Sequence, residues 1–589
     1  MKKMFLFGAL FAAGLSFTAC SSDNVADEVN DPGIKSGKSY VSFAVNLPTD
    51  PSSNTRAAND VYKYGLASEY AVNSIKVFIF EGNSSSSILK EVLSPSQPDS
   101  WSTDVNTDAT QVIKRHKFVE QLTNSVSTPY ALVVLNDPGI TYTVGSSTLN
   151  SIATQAISVY YSTASSTNYF TMTNAPLSNK IGNTSSAAGA NVNTLVPVDI
   201  YASQTLADAA SPNEIYVERV AVKVTVSSSS ITHTSTAESL SGTIKWWAVD
   251  NMEPNSYLVR QIDNTAFGYK NSQTTNYRFV GSTPMSASDS QYRIYWGYDP
   301  QYSGITTTLS PYNAGTTKTV TSTTDGMGDN SPVYCLENTF DLANQTLQNT
   351  TRVVIAVQFG TDDFYVINGA TTTRFNQSDM ESQLKAAITN HATIQDAVNN
   401  HVTSPVTLTS SEITLSTTIT NGVLTITNIT LPTSVSNKFD FDGDGTSIEG
   451  SDADDTSTLA TKLSEVKDAI NTAYKVEFYD DGMAYYSILI KHFANDLAPW
   501  SVDYNTGGGI YDKDGNGSLD ATDDAEYLGR YGVLRNNWYN ITVSAIKKIG
   551  SPVVTSVIGD TTTDDTTDQW IAYAINILSW AYRNQSEDL

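Results

Sequence analysis

The stretch Val41-Ser42-Phe43-Ala44-Val45-Asn46-Leu47 alternates apolar residues with small or polar ones, and Ile571-Ala572-Tyr573-Ala574-Ile575-Asn576-Ile577 repeats the pattern near the other end of the chain. Successive side chains of a strand point to opposite faces. Val41, Phe43, Val45 and Leu47 therefore form one apolar face, and Ile571, Tyr573, Ile575 and Ile577 form another. Between the first strand and the rest lies Asn54-Thr55-Arg56-Ala57-Ala58-Asn59, in which Arg56 is the only basic residue between Lys38 and Lys63. Such a stretch suits an arginine-specific protease. A strand that can be cut off and a matching strand that can replace it point to a subunit that polymerises; two ordinary strands of one sheet would give the same pattern.

Working outward, Tyr70 to Phe80, Tyr130 to Leu135, Val196 to Tyr201 and Ile215 to Val226 read as further strands separated by Ser, Thr, Asn and Gly loops. The tract Ser227 to Ser230 breaks the apolar pattern and marks a domain boundary. A second strand-rich region holds Ile244 to Val249, Val353 to Phe359, Lys475 to Tyr479, Tyr485 to Ile490 and Trp538 to Ile546. Two helical inserts interrupt it: Ser378 and Glu381 make a capping box before Leu384, Ala387 and Ile388, and Leu459, Leu463, Val466 and Ile470 keep helical spacing. The expected fold is mainly β, with two β-sandwich domains, the second larger and decorated with helices.

A chain of 589 residues has room for several domains. Charged residues make up only 16%, and Asp plus Glu outnumber Lys plus Arg by 60 to 34, a formal charge of −26 that disfavours nucleic acid and anionic membrane as partners. Lys2 and Lys3 precede an apolar run from Met4 to Leu15, too short to span a bilayer and typical of a secretory signal. Phe17-Thr18-Ala19-Cys20 then reads as a lipobox, with Phe17 where Leu is commonest and Cys20 as the lipid carrier. With Cys20 lipidated or removed, Cys335 has no partner for an intrachain disulfide and is expected to be a small buried hydrophobe.

Asp512-Lys513-Asp514-Gly515-Asn516-Gly517-Ser518-Leu519-Asp520-Ala521-Thr522-Asp523 has calcium-loop spacing. Asp512, Asp514, Asn516, Ser518, Asp520 and Asp523 supply the oxygens, Gly517 the sharp turn, and Asp523 replaces the usual Glu. A merely acidic turn is the alternative. Asp440, Asp442, Asp444 and Gly445 echo this loop, but Ser451 stands at the twelfth position and Glu449 and Asp452 are out of register, so a solvated Asp-Gly turn is an equal reading. No catalytic constellation appears. His116, His233, His391, His401 and His492 are scattered, and Gly33 to Ser39 imitates a phosphate loop but is one residue short between its glycines. Trp246, Trp247, Trp500 and Trp538 could stack on sugars, although such residues in sandwich strands are usually core.

Several stretches together resemble the fimbrillins, or type V pilins, specifically the major subunit of short (minor) fimbriae. The resemblance rests on the lipobox, Tyr40-Val41-Ser42-Phe43 with Thr55-Arg56-Ala57 after it, Val217-Glu218-Arg219, Tyr334 to Phe340, and above all Arg530-Tyr531-Gly532-Val533-Leu534-Arg535-Asn536-Asn537-Trp538-Tyr539. It implies transthyretin-like sandwiches and a lipidated precursor at the outer membrane. It further implies cleavage between Arg56 and Ala57 by an arginine-specific protease, and replacement of the strand centred on Val41 to Leu47 by a neighbour's Ile571 to Ile577. The partners so implied are further copies of the chain and accessory anchor and tip subunits.

The expected organisation is thus a signal peptide over 1–19, a lipidated propeptide with the cleavable strand over 20–56, sandwich domains over 57–230 and 231–568, and a donor strand over 569–589. Loops and inserts look specific to this chain. The expected function is structural and not enzymatic, with a monomeric surface lipoprotein binding glycans or host proteins as the alternative. Four buried apolar side chains would hold the strand by roughly 6 to 12 kcal/mol.

Overall fold

The computed structural model describes residues 39–48, 65–98, 101, 112–178, 192–235, 240–262, 280–286, 289–341, 344–370, 373–492, 529, 531–554 and 571–578. These are mainly β, in several sheets. The N-terminal strands are β1 (Ser39–Pro48), β2 (Ile75–Glu81), β3 (Leu89–Leu93), β4 (Val112–Leu122), β5 (Pro129–Leu135), β6 (Met172–Asn174), β7 (Ile200–Tyr201) and β8 (Asn213–Arg219), with a short helix α1 (Gln204–Ala209) before β8. Their order is β7-β1-β8-β6-β5-β2-β3, and β4 also pairs β1.

Strand β8 changes partner half-way, running parallel to β1 over Asn213–Tyr216 and antiparallel to β6 over Val217–Arg219. It thereby joins two layers that face each other across one core, as strands at a sandwich corner do. Val41, Phe43, Val45 and Leu47 of β1 meet Ile75, Val77 and Ile79 of β2 and Ala131, Val133 and Leu135 of β5. The other face of β2 and β5 carries Phe78, Phe80, Leu132 and Val134 and is covered by Ile152, Leu258 and Val259.

The run from Ile215 to Val226, expected to be one strand, is two. β8 ends at Arg219, and after Val220 and Ala221 the chain enters β9 (Val222–Ser228), which lies in a different sheet. The boundary expected at residue 230 thus falls after the first strand of the C-terminal sheets. Every residue from Ile215 to Val226 is buried, and the change is marked in the sequence by Glu218-Arg219 and by a shift of phase, from Ile215 and Val217 before it to Val220, Val222, Val224 and Val226 after it. Val196 to Tyr201 also divides, into Val196–Pro197 and Ile200–Tyr201, because Pro197 has no N–H to continue a ladder.

After β9 come β10 (Leu240–Asp250), β11 (Val333–Cys335), β12 (Arg352–Gln358), β13 (Met483–Leu489), β14 (Trp538–Ile546) and β15 (Ile571–Leu578). One sheet is ordered β11-β9-β14-β15; the other runs from Thr232–Ser235 through β10 and β12 to β13. Val224, Trp247, Ile355, Tyr486 and Ile541 meet between them. Cys335 is in this core as expected, and burial pushes its thiol up to about 12.

Between β12 and β13 an insert forms its own four-stranded sheet, ordered Phe364–Ile367, Val476–Tyr479, Val423–Thr430, Thr414–Thr420. Helices α2 (Gln377–Thr389), α3 (Ala392–Asn400) and α4 (Ala453–Ala473) complete it, with Leu384, Ile388, Ile426, Val466 and Ile470 in its core. The cap of α2 is Asn376 rather than Ser378: its side chain accepts the Asp379 N–H at 2.8 Å, two residues earlier than the capping-box pattern indicated.

Candidate strand-exchange site

β1 is hydrogen-bonded along both edges. β4 lies antiparallel to it from Ser39 opposite Leu122 to Leu47 opposite Lys114. On the other edge Tyr40 and Val41 pair antiparallel with Tyr201 and Ile200, and Phe43 to Asn46 pair parallel with Asn213 to Tyr216. Among the described residues β4 pairs with β1 alone, so β1 is what joins β4 to the sheet.

Both faces of β1 are covered. Val41, Phe43, Val45 and Leu47 are each 0% exposed, and the Phe43 ring stacks on Phe118 of β4 with centroids 5.6 Å apart. The opposite face, Ser42, Ala44 and Asn46, is small or polar and is buried too. Helix α1 packs on this face, held by Lys117, which stands opposite Ala44 and donates to the carbonyl oxygens of Asp208 and Ala210 at 2.6 and 2.7 Å. Near the C-terminal end of β1, Asn46 Nδ2 donates to Glu214 Oε2 at 2.7 Å, and Arg115 Nε reaches the same oxygen at 3.1 Å. That bond to Glu214 is the largest reason the Arg115 guanidinium is held above its ordinary range. His116, opposite Val45, is held below the usual imidazole range by burial and then by Arg115. The slot therefore asks of its occupant an extended backbone with donors and acceptors on both edges, four apolar side chains on one face and small ones on the other.

β15 stands in a different situation. It lies antiparallel to β14, with Ile577, Ile575 and Tyr573 opposite Tyr539, Ile541 and Val543. It is the last strand of its sheet, so among the described residues only one of its edges is paired. Its backbone pairs with β14 from Trp538 opposite Leu578 to Ile546 opposite Ile571.

Within the Arg530 to Tyr539 block, the described residues Tyr531 to Tyr539 form a buried polar junction where the two cores meet. Arg535 pairs with Glu337, and Arg260 with Glu218 at 2.7 and 2.8 Å, all four nearly or wholly buried. Asn536 has a left-handed backbone, φ 59°, and its N–H donates to Ala221 O at 2.8 Å while its Oδ1 accepts from Arg219. Lys223 Nζ lies 3.5 Å from the Trp538 ring centroid and 2.6 Å from Glu69 Oε1. Sequence reading flagged the block by resemblance alone. Its partners are far away in the chain, so no local spacing could disclose the role.

Of the other predicted site residues, Cys20, Arg56, Ala57 and the loop Asp512 to Asp523 lie outside the described residues. His492 is buried, its ring nitrogens 2.8 Å from Tyr539 Oη and 3.0 Å from Tyr295 O. Trp247 and Trp538 are core residues; Trp246 stacks on Tyr312.

Residues 516–586, which include β15, match the profile of the family described as major fimbrial subunit protein type IV, fimbrillin, C-terminal. Solved structures similar to this chain include a candidate cell adhesion protein from Parabacteroides distasonis ATCC 8503, 10% identical over 93% of this chain and 97% of that one, with a TM-score of 0.33. The tip fimbrial protein Mfa3 from Porphyromonas gingivalis, with a C-terminal truncation, is 10% identical over 54% of this chain and 78% of its own, with a TM-score of 0.25. The fimbrial anchor protein Mfa2 from Porphyromonas gingivalis is 13% identical over 45% and 74%, with a TM-score of 0.18. These scores are too low to define a shared fold. A search of curated proteins by sequence returns no match.

Proposed function

We propose, from the match of residues 516–586 to the fimbrillin C-terminal family, that the chain is the structural subunit of a cell-surface fimbria, polymerising when a neighbour's C-terminal strand takes the place of β1. The observation that carries this reading is the contrast between the two strands: among the described residues β1 is paired along both edges, and β15 along one. A strand that leaves a one-sided edge for a two-sided slot gains a second row of backbone bonds, each worth about 0.5 to 1.5 kcal/mol net. It also meets an apolar face that β1 held by roughly 6 to 12 kcal/mol, an upper estimate.

The side chains suit each other in sequence order. From N to C, β1 offers Val41, Phe43, Val45 and Leu47, and the C-terminal strand offers Ile571, Tyr573, Ile575 and Ile577. The second position is aromatic in both. A donor lying in the direction of β1 would bring Tyr573 to the place where Phe43 stacks on Phe118.

In this reading Cys20 carries the lipid that holds the precursor at the outer membrane, and an arginine-specific protease cuts between Arg56 and Ala57 to free β1. The chain then joins further copies of itself and, at the ends of the filament, anchor and tip subunits. Calcium bound by the loop from Asp512 to Asp523 would stiffen the segment preceding β14. The decisive experiment is N-terminal sequencing of protein sheared from the cell surface. Ala57 as first residue of the polymer supports the reading; a polymer that begins at Cys20 sinks it.

A further inference from the structure

The insert carries a set of carboxylates that strand exchange does not use. Asp440, Asp442 and Asp444 lie on the turn that precedes α4, Asp452 caps α4, and Asp455 sits in its first turn. Carboxylate oxygens of Asp440, Asp442 and Asp455 lie within 4.8 Å of one another, and so do those of Asp442, Asp444 and Asp452. Acidic turns are common on surfaces, but Asp455 is 1% exposed. Its Oδ1 accepts the Phe441 N–H at 2.7 Å, while its Oδ2 is buried with no hydrogen-bond partner. Leaving a buried carboxylate oxygen without a donor is strongly unfavourable.

No basic side chain relieves it. Among the described residues none of the five carboxylates is paired with Lys, Arg or His. Lys438 pairs with Glu449, Lys462 lies over the Phe441 ring at 5.5 Å, and His401 packs against the same ring. Burial raises the Asp455 carboxyl above the ordinary aspartate range, the Phe441 N–H opposes this, and the charges of Asp452, Asp442 and Asp440 add to the rise. What the cluster lacks is positive charge.

We propose that Asp440, Asp442 and Asp455 bind one divalent cation, calcium, which fastens the turn to the start of α4. All candidate ligands are hard oxygens, as calcium prefers, and oxygens within 4.8 Å of one another can reach one shared ion at ~2.4 Å each. Gly443 and Gly445, with φ 77° and 88°, wrap the turn so that their N–H groups donate to Asp440 at 2.7 and 3.1 Å and fix that carboxylate in place. The closing ligand comes from the helix rather than from the turn, which is why a twelve-residue loop template does not find it.

The test is calorimetric titration of calcium into the chelator-stripped full chain, in a background carrying Asp512→Asn and Asp514→Asn so that the other candidate loop is not counted. The background chain is expected to bind one calcium and to melt higher with it. Asp455→Asn should weaken binding at least about tenfold, yet raise the melting temperature of the calcium-free chain, since it removes the unpaired buried charge. Asp442→Asn, an exposed position, should weaken binding without touching the buried group. Absence of calcium uptake in the background overturns the proposal. So does binding that neither substitution weakens, or that Asp468→Asn on the exposed side of α4 weakens equally.

Discussion

Arg535 donates from Nε to Glu337 Oε1 at 2.8 Å, with both side chains fully excluded from solvent and 198 positions apart in the chain. The same guanidinium donates to Leu258 O at 3.0 Å and Ser256 Oγ at 2.8 Å, so one side chain ties two distant segments to its own. Glu337→Gln would leave the guanidinium buried without a counter-charge. The expected loss is about 3 to 5 kcal/mol of stability, read as a lowered urea midpoint; an unchanged midpoint would show that the pair is not a keystone of the junction.

Arg56→Ala should leave β1 in its slot and yield lipidated precursor that does not polymerise. Immunoblotting of unboiled cell fractions distinguishes the outcomes: a monomer band supports cleavage as the trigger, and a normal ladder refutes it.

The slot itself can be weighed by mutating its first occupant. Phe43→Ala should lower precursor stability by about 3 to 5 kcal/mol, the range for a buried aromatic truncated in a packed core. Ser42 Oγ is buried without a hydrogen-bond partner, so Ser42→Ala should raise stability by roughly 1 kcal/mol. Thermal melts of the uncleaved chain measure both. Equal melting temperatures for the two variants would mean that β1 contributes little to the precursor.

The donor is tested by Ile575→Asp and by truncation after Asp568. A carboxylate brought into the slot costs several kcal/mol, and the truncated chain has nothing to donate. Because β15 completes the β14 ladder, the truncated chain should also melt below the full chain. Either variant, mixed with cleaved wild-type subunits, should cap growing filaments and shorten them in electron micrographs. Filaments of ordinary length built from truncated subunits alone would exclude the C-terminal strand as donor.

Glu253 gives the fold a pH dependence. Gln301 donates to both of its oxygens at 2.9 Å, but burial outweighs those bonds and lifts the carboxyl to about 7 from 4.5. The folded chain therefore keeps a proton between pH 4.5 and 7 that the unfolded chain releases. This group's contribution is most favourable below pH 4.5 and declines as pH rises to 7. The loss is at most about 3 kcal/mol. Asp299 is raised in the same direction by burial and then by Glu253, and adds to the decline. Urea midpoints at pH 5 and pH 8 should differ less for Glu253→Gln than for the wild type; parallel pH profiles would remove Glu253 from this role.

What the sequence disclosed follows from what local pattern can carry. Period-two alternation marks the apolar face of β1, and the strand Trp538–Ile546 falls where expected. The polar face of β1 reads as solvent-facing, and only the packing of α1 reveals Ser42 and Asn46 as buried. The break between β8 and β9 falls at Glu218-Arg219, where the apolar alternation changes phase, a mark that reading Ile215 to Val226 as one strand passes over. The ion pairs of the junction depend on tertiary proximity that no window of residues contains, and Asp455, 15 positions after Asp440, lies beyond a twelve-residue loop template.

The passage from β8 through Val220 and Ala221 into β9 has a mechanical consequence. β8 borders the slot, and β9 lies parallel to β14, the strand from which the chain runs on to its C-terminus. In a filament assembled by strand exchange, tension arriving through a donated strand would pass sideways into β8, along the covalent backbone into β9, and across to β14 before leaving with the next donated strand. At each transfer the force runs along strands that overlap side by side, so rupture requires several backbone bonds to yield together. Such a shaft would resist pulling by shear, and its weakest link would be the register of the donated strand rather than the fold of any subunit.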